Sequence, residues 1–174
     1  MLKLDMENGE SLGTNHFELK LPAEIKQELG PQNLKNLTNF SGALKEELEK
    51  QGIEGHLFLV GGTVMPEKVG KNHKDIDLLF YSEDLSLKKI FLKENDEDFA
   101  KFSEFFGRIG ANLDWTEKVN KPYFHSYQFC GDGSIELRPS NGVPLEIIPT
   151  RKDALNNSFK DYEENIDRPG VLLF

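Results

Sequence analysis

The residues best suited to chemistry are Asp75 and Asp77, at the start of an apolar run that continues to Phe80. The run predicts a buried strand. Side chains two positions apart in a strand leave the same face about 6 to 7 Å apart, so the two carboxylates point together while Ile76 faces the other way. Because like charges beside a core repel, a divalent cation between them is the obvious candidate to hold the pair together.

A second short apolar run, His56–Val60, predicts another buried strand and stops at Gly61-Gly62. Glycine has no Cβ, so its backbone N–H approaches an anion closely, and Thr63 adds a hydroxyl donor. Each feature alone is common in ordinary turns and solvated loops. Together and in this order, each attached to an apolar strand, they indicate a site for a metal ion and the phosphates of a nucleotide.

The succession of a strand, Gly-Gly-Thr, a short connection and Asp75-Ile76-Asp77 resembles the signature of the nucleotidyltransferase superfamily that includes DNA polymerase beta. Within it, the chain is most similar to small antibiotic nucleotidyltransferases of the lincosamide and aminoglycoside type, in which a basic residue and a histidine precede the acid pair. Lys71 and His73 fit that order, after Gly70. The resemblance covers residues 56–150 and implies an α+β fold with a mixed central β-sheet flanked by helices. Pro66 stands where relatives begin a helix, so we expect that helix to be short or displaced.

The superfamily carries a third acid on a later strand, and two residues are candidates for it. Short apolar runs on either side of Ser140-Asn141-Gly142 predict a hairpin. Its arms carry Glu136 and Glu146. In relatives the third acid lies in an apolar strand soon followed by a turn, which favours Glu146, whereas Glu136 is then an exposed hairpin residue.

The resemblance implies a magnesium-dependent nucleotidyltransferase that moves a nucleoside monophosphate from a nucleoside triphosphate, with ATP expected, to a hydroxyl acceptor through two Mg²⁺ ions. The implied metal ligands and catalytic residues are Asp75, Asp77 and Glu146. The residues implied to contact the triphosphate are Gly61, Gly62, Thr63, Lys71 and His73. The acceptor, a small molecule or a protein, and the preferred base stay open.

Two alternatives belong to other classes of protein. The first is a non-catalytic nucleotide-binding or protein-interaction module, of the antitoxin type, that keeps the fold. The second is an ordinary α+β domain in which the three acids lie apart. Only the second predicts that the carboxylates fail to converge in the folded chain.

The composition limits the classes of binding partner and the cellular location that we expect. The chain has 174 residues, enough for a single domain, and carries a net charge of −9 with a pI near 5.0, which disfavours extended binding to a nucleic-acid backbone. Cys130 is the only cysteine, so no intrachain disulfide is expected. No apolar stretch has the roughly 20 residues of a membrane helix, and the N-terminus lacks the apolar segment of a signal peptide. We expect a cytoplasmic protein that binds no membrane.

The periodicity divides the chain into a peripheral extension (residues 1–30), a core (31–150) and a C-terminal helix and tail (151–174). An alternating run, His16–Leu21, could be an edge strand. From Pro31 to Gln51, leucines at helical spacing predict a helix, which Ser41-Gly42 could divide in two and Gly52 would end.

A second helix is predicted over Asn95–Gly110, with its phenylalanines in the core, and a last one from Thr150 to about Ile166. Trp115 is expected either to anchor the core or to stack on a base. The apolar end, Val171–Phe174, is expected to dock on the core or on a second copy of the chain, which would make a homodimer.

Overall fold

The computed structural model describes residues 17–65, 68, 70–83, 96–120, 134–149, 158–161 and 166–174. In chain order the elements are α1 (Ala23–Gln51), β1 (His56–Val60), a 3-10 turn (Gly61–Val64), β2 (Ile76–Tyr81), α2 (Asp96–Asn112), β3 (Thr116–Asn120), β4 (Ser134–Arg138), β5 (Leu145–Pro149), β6 (Ser158–Asp161), β7 (Ile166–Pro169) and β8 (Val171–Leu172). The 3-10 turn is called the glycine turn below.

Six of these strands form one mixed sheet in the order β3-β4-β5-β2-β1-β8. Its central neighbours β2 and β5 are parallel, and the other four neighbouring pairs are antiparallel. Strands β6 and β7 pair separately. With two helices packed on the sheet, the expected α+β fold with a mixed central sheet is confirmed.

The two faces of the sheet differ in chemistry because neighbouring residues of a strand point to opposite sides. On β2, Ile76, Leu78 and Phe80 are buried in the hydrophobic core that both helices share. Asp77 lies between them in the sequence and therefore occupies the opposite face. The alternation predicted from the sequence thus separates the core from a face that carries acids.

The core between helices and sheet is rich in aromatic rings. Helix α2 contributes Phe102, Phe105 and Phe106, all at most 1% exposed. Trp115 is partly buried, and its ring stacks on that of Phe40 with centroids 6.5 Å apart. Of the two roles expected for Trp115, the structure places it as an anchor of the core.

Helix α1 differs from its prediction in where it begins and in where it is interrupted. It begins at Ala23 and runs through Ser41-Gly42 without a break. Phe17 packs closely against this glycine, since a Cβ on Gly42 would lie 3.3 Å from the Phe17 Cβ. The kink lies instead at Gly30, whose φ of 72° and ψ of 168° are not helical, followed by Pro31. Gly52 ends the helix in the left-handed conformation, as predicted. Among the described residues, no helix is long and apolar enough to cross a membrane.

The segment before the kink takes part in the core rather than lying at the periphery. Leu19, Leu21 and Leu29 are buried at 3%, 7% and 5% exposure. Residues 17–22 form no strand, so the edge strand predicted at His16–Leu21 is wrong for the residues that the structure describes. Residues 1–16 lie outside them. The segment is held by its leucines rather than by ladder hydrogen bonds.

The helix predicted from Thr150 to about Ile166 is also wrong where it can be compared. Residues 158–161 are strand β6, paired with β7 in a register that sets Ser158 opposite Pro169. Its partner strand β7 begins only at Ile166, where the predicted helix ends. The apolar periodicity of residues 150–166 therefore could not indicate this pairing. Residues 150–157 lie outside the described ranges.

The apolar tail docks on its own chain. β8 pairs antiparallel with β1, and the Leu173 N–H donates to the Leu57 carbonyl at 2.8 Å. The Phe174 ring meets Phe17 edge to face at 6.2 Å. Of the two partners expected for the tail, the core of the same chain is the one seen.

Candidate metal centre

Three carboxylates converge on the face of the sheet that the helices leave free. Asp77 on β2 lies opposite Glu146 on the parallel neighbour β5, and Asp75 immediately precedes β2. One oxygen from each side chain lies within 4.8 Å of the others. The alternative in which these acids lie apart is therefore wrong, and the triad could bind a metal ion.

Glu136 and Glu146, the two candidates for the third acid, face each other across β4 and β5. Glu146 belongs to the carboxylate triad, and its Oε1 accepts a hydrogen bond of 2.5 Å from the buried Ser134 hydroxyl. Glu136 instead pairs with the Arg138 guanidinium on its own strand. Its side chain is only 13% exposed, so the prediction of an exposed hairpin residue is wrong. The sequence favoured Glu146 over Glu136 only through the resemblance to relatives, whereas the structure places Glu146 alone of the two beside Asp75 and Asp77.

Asp77 has the most perturbed environment of the three. Burial first, and then the charges of Asp75 and Glu146, raise its pKa from the ordinary 3.8 to about 7, while the Lys68 ammonium opposes the shift. A cation among these oxygens would favour the ionised form and lower the pKa again. The triad is therefore electrostatically suited to a positive charge.

The glycine turn lies against this triad. Gly61 has a φ of 72°, which glycine adopts without strain, and a Cβ there would lie 2.8 Å from the Asp77 Cγ and collide with its carboxylate oxygen. Glycine is thus required twice, by the backbone conformation and by the close approach of Asp77. No α-helix follows among residues 61–65, 68 and 70–75, in keeping with the expectation from Pro66, which itself lies outside the described residues.

Gly62, the second glycine, is covered by His73. A Cβ on Gly62 would lie 2.8 Å from the His73 Nδ1. The other ring nitrogen, Nε2, lies 2.6 Å from the Glu28 Oε1 on α1. The connection between the glycine turn and the acid pair therefore folds back over the turn.

The predicted contacts to a triphosphate are unequally placed. Gly61 and Gly62 adjoin Asp77 and His73, and Thr63 is only 4% exposed. Lys71 is exposed, and its backbone N–H donates to the Lys68 carbonyl at 3.2 Å. The cation whose charge acts on Asp77 is Lys68.

Sequence reasoning missed Lys68, Glu28 and Ser134. Lys68 lies in the connection that was already singled out, so its position between Thr63 and Asp75 was an available signal. No sequence signal indicated Glu28 or Ser134, because each meets its partner only in the folded chain. Glu28 is 45 residues from His73, and Ser134 is 12 residues from Glu146.

Neither a protein-family model nor a curated protein matches the sequence. Among solved structures, the chain is similar to a CCA-adding enzyme in complex with ATP, at 16% identity and a TM-score of 0.39, over 76% of this chain and 24% of that one. It is also similar to a CCA-adding enzyme in complex with CTP, at 18% identity and a TM-score of 0.36, over 71% and 22% of the two chains. The chain thus spans less than a quarter of the length of those enzymes.

Proposed function

We propose that the chain is a magnesium-dependent nucleotidyltransferase, which transfers a nucleoside monophosphate from a nucleoside triphosphate to a hydroxyl group. The observation that carries the proposal is the convergence of Asp75, Asp77 and Glu146 within 4.8 Å beside the glycine turn. The order of Gly-Gly-Thr and Asp-Ile-Asp in the sequence supports it, since the same motifs mark the superfamily that the chain resembles.

The residues present fit a magnesium site. Carboxylate oxygens are the ligands that this hard cation prefers, and three of them meet here. Burial first, and then the charges of the neighbouring carboxylates, raise the pKa of Asp77, and a bound cation would stabilise its ionised form. When bound, two such ions would offset the charge of the triphosphate and lower the pKa of the acceptor hydroxyl.

The remaining predicted residues would hold the triphosphate. The first N–H groups of a helical turn have no partner within the turn, so Gly61, Gly62 and Thr63 offer backbone donors to phosphate oxygens. Lys71 would offset the phosphate charge, and we add Lys68 as a second cation. His73 would contact the phosphates through the edge of its ring that faces Gly62.

The proposal also covers the nucleotide, the acceptor and the cellular location. ATP is the expected nucleotide, the acceptor is a small molecule or a protein, and the reaction takes place in the cytoplasm. Extended binding to nucleic acid is disfavoured by the net charge of −9. A second copy of the chain could complete the acceptor side of the site.

Calorimetry of ATP, GTP, CTP and UTP with and without magnesium tests the first step. We expect a triphosphate to bind only with the metal, and the Asp75→Asn, Asp77→Asn double variant to lose at least about tenfold in affinity. The preferred nucleotide, labelled at its α-phosphate, then serves to search for an acceptor that gains the label as pyrophosphate is released.

Glu136 and Glu146 provide a matched pair of variants. They face each other on neighbouring strands, yet only Glu146 lies in the triad. Glu146→Gln should weaken magnesium-dependent binding, while Glu136→Gln should bind as wild type does. Absence of triphosphate binding at millimolar concentration would contradict the proposal and favour the non-catalytic module.

A further inference from the structure

Glu28 on α1 connects the helix to the segment between the glycine turn and the acid pair. Both of its carboxylate oxygens accept the Gly70 backbone N–H, each at 3.0 Å, and Oε1 lies 2.6 Å from the His73 Nε2. These partners are 42 and 45 residues away in the sequence. One side chain thus fixes two points of the connection.

The contact is shielded from water and well anchored. The Glu28 and His73 side chains are 10% and 16% exposed. The Gly70 N–H first, and then the hydrogen bond with His73, lower the pKa of Glu28 below its ordinary value of 4.5, so the carboxylate is ionised at neutral pH. Leu29, the next residue, is 5% exposed and holds this part of α1 in the core.

The chemistry of the pair sets the orientation of the imidazole. An ionised carboxylate only accepts hydrogen bonds, so the His73 Nε2 must carry the proton that it donates to Glu28. The opposite edge of the ring then meets the glycine turn, since a Cβ on Gly62 would lie 2.8 Å from Nδ1 and 3.2 Å from Cε1.

We infer that Glu28 is a positioning residue, which holds the Nε2 side of the His73 ring and so keeps the opposite edge of that ring at the glycine turn, where the triphosphate would lie. The ligand in this statement rests on the proposed function, whereas the orientation of the ring rests on the contacts alone. Among the described residues, the hydrogen bonds of Glu28 go to Gly70 and His73 and not to the carboxylate triad or the glycine turn, so it acts through those two residues.

The tautomer can be read directly by NMR. Long-range ¹H–¹⁵N correlation of the histidine side chains at about pH 8, where an ordinary histidine is neutral, distinguishes the two tautomers. The His73 signals are assigned by their loss in His73→Ala. We expect the Nε2–H form in the wild type, and finding the Nδ1–H form there would overturn the inference.

Glu28→Gln changes the partner of the ring with little change in shape. A glutamine amide both donates and accepts, so it no longer requires the proton at Nε2, and the Nδ1–H form should become populated. Glu24→Gln is the matched control, because Glu24 is exposed and lies on the same segment of α1. Its His73 spectrum should equal that of the wild type, and an unchanged spectrum in Glu28→Gln would overturn the inference.

Binding of magnesium-ATP by the same proteins tests the consequence for the ligand. Because a neutral amide holds the Gly70 N–H and the His73 ring less tightly than a carboxylate does, Glu28→Gln should weaken binding by at least about tenfold, while Glu24→Gln should not. In the His73→Ala background Glu28→Gln should add little, because its effect passes through the ring. Equal affinity of Glu28→Gln and wild type would overturn the role in binding. If the wild type binds no triphosphate, the proposed function is overturned. The NMR measurement would then be the test of whether Glu28 positions the His73 ring.

Discussion

At Asp77 a carboxyl group lies largely out of water and beside two groups of its own charge. Its pKa of about 7 means that folding places this side chain where its neutral form is preferred. Such a position lowers the stability of the metal-free chain at neutral pH. A residue of this kind is expected where a ligand, rather than the fold alone, stabilises the charged form.

The stability of the metal-free protein should therefore depend on Asp77 in a defined pH range. Because the folded pKa of about 7 lies above the ordinary 3.8, the native state binds more protons than the unfolded state between these values. The contribution of this group to stability thus falls as the pH rises from about 4 to about 7. Above that range, Asp77→Asn should be more stable than wild type, by an amount on the order of a few kcal/mol.

Urea unfolding in the presence of a chelator, at about pH 4.5 and about pH 8, measures this difference. The gap between Asp77→Asn and wild type should widen at the higher pH, and added magnesium should narrow it by stabilising only the wild type. Stability profiles that run parallel over the whole pH range would contradict the assigned pKa.

Spacing along the chain was enough to predict one part of the site and not the rest. Asp75 and Asp77 share a face because a strand repeats every two residues, which is a local rule. Lys68 was within reach of the same reasoning. Glu28 and Ser134 were not, since their roles arise only where α1 crosses the connection and where β4 lies beside β5.

At the scale of elements, α1 is joined to the turn between β4 and β5. The Asn36 Nδ2 donates to the Asn141 carbonyl at 2.6 Å, and the Asn33 Oδ1 accepts the Val143 N–H at 3.0 Å. Gly142 lies between these contacts with a φ of 96°. This junction fixes the start of β5, and with it the position of Glu146.

Gly142→Ala should destabilise the chain more than Gly52→Ala. Both glycines have positive φ, so alanine is strained at either position by about 1 kcal/mol. At Gly142 the new Cβ would also lie 2.6 Å from the Asn33 Oδ1 and the Asn36 Nδ2, whereas nothing lies within 4 Å at Gly52. Displacing the two amides costs hydrogen bonds, so we expect about twice the loss in the free energy of unfolding.

Chemical denaturation of the two glycine variants beside wild type provides the measurement. Equal losses would show that the asparagines move aside without cost. A larger loss at Gly52 would contradict the role given to the junction.

The elements with a strong local pattern were predicted, and those defined by distant partners were not. The strands β1 and β2, the helix α2 and the β4–β5 hairpin follow from apolar periodicity and from Asn141-Gly142. Ser41-Gly42 was wrongly taken for a break, because the sequence does not show Phe17 packed against Gly42. Strand β6 was taken for helix because its partner β7 lies beyond the predicted segment.

For the molecule as a whole, the last residues close one edge of the central sheet. β8 covers β1, and the Leu57 N–H donates to the Phe174 carbonyl at 3.2 Å. Without this cover, β1 would present a buried, apolar strand as an open edge. Exposed edges of that type promote pairing with other chains.

Deleting residues 171–174 should lower the melting temperature by roughly 5 °C or more and favour self-association. Calorimetry and size-exclusion chromatography measure the two effects. Leu172→Ser is the control, because that side chain is 40% exposed and its backbone pairing is retained. A truncated chain that melts and elutes as wild type does would contradict the protective role of β8.

The parallel pairing of β2 with β5 also determines when during folding the triad can exist. Asp77 and Glu146 are brought together only after the chain between them has been placed and the two strands have found their register. Closing a long loop is an entropically costly, slow step, so the triad is absent from partly folded chains. A cation that needs all three acids would bind the native state alone and shift the folding equilibrium toward it by mass action.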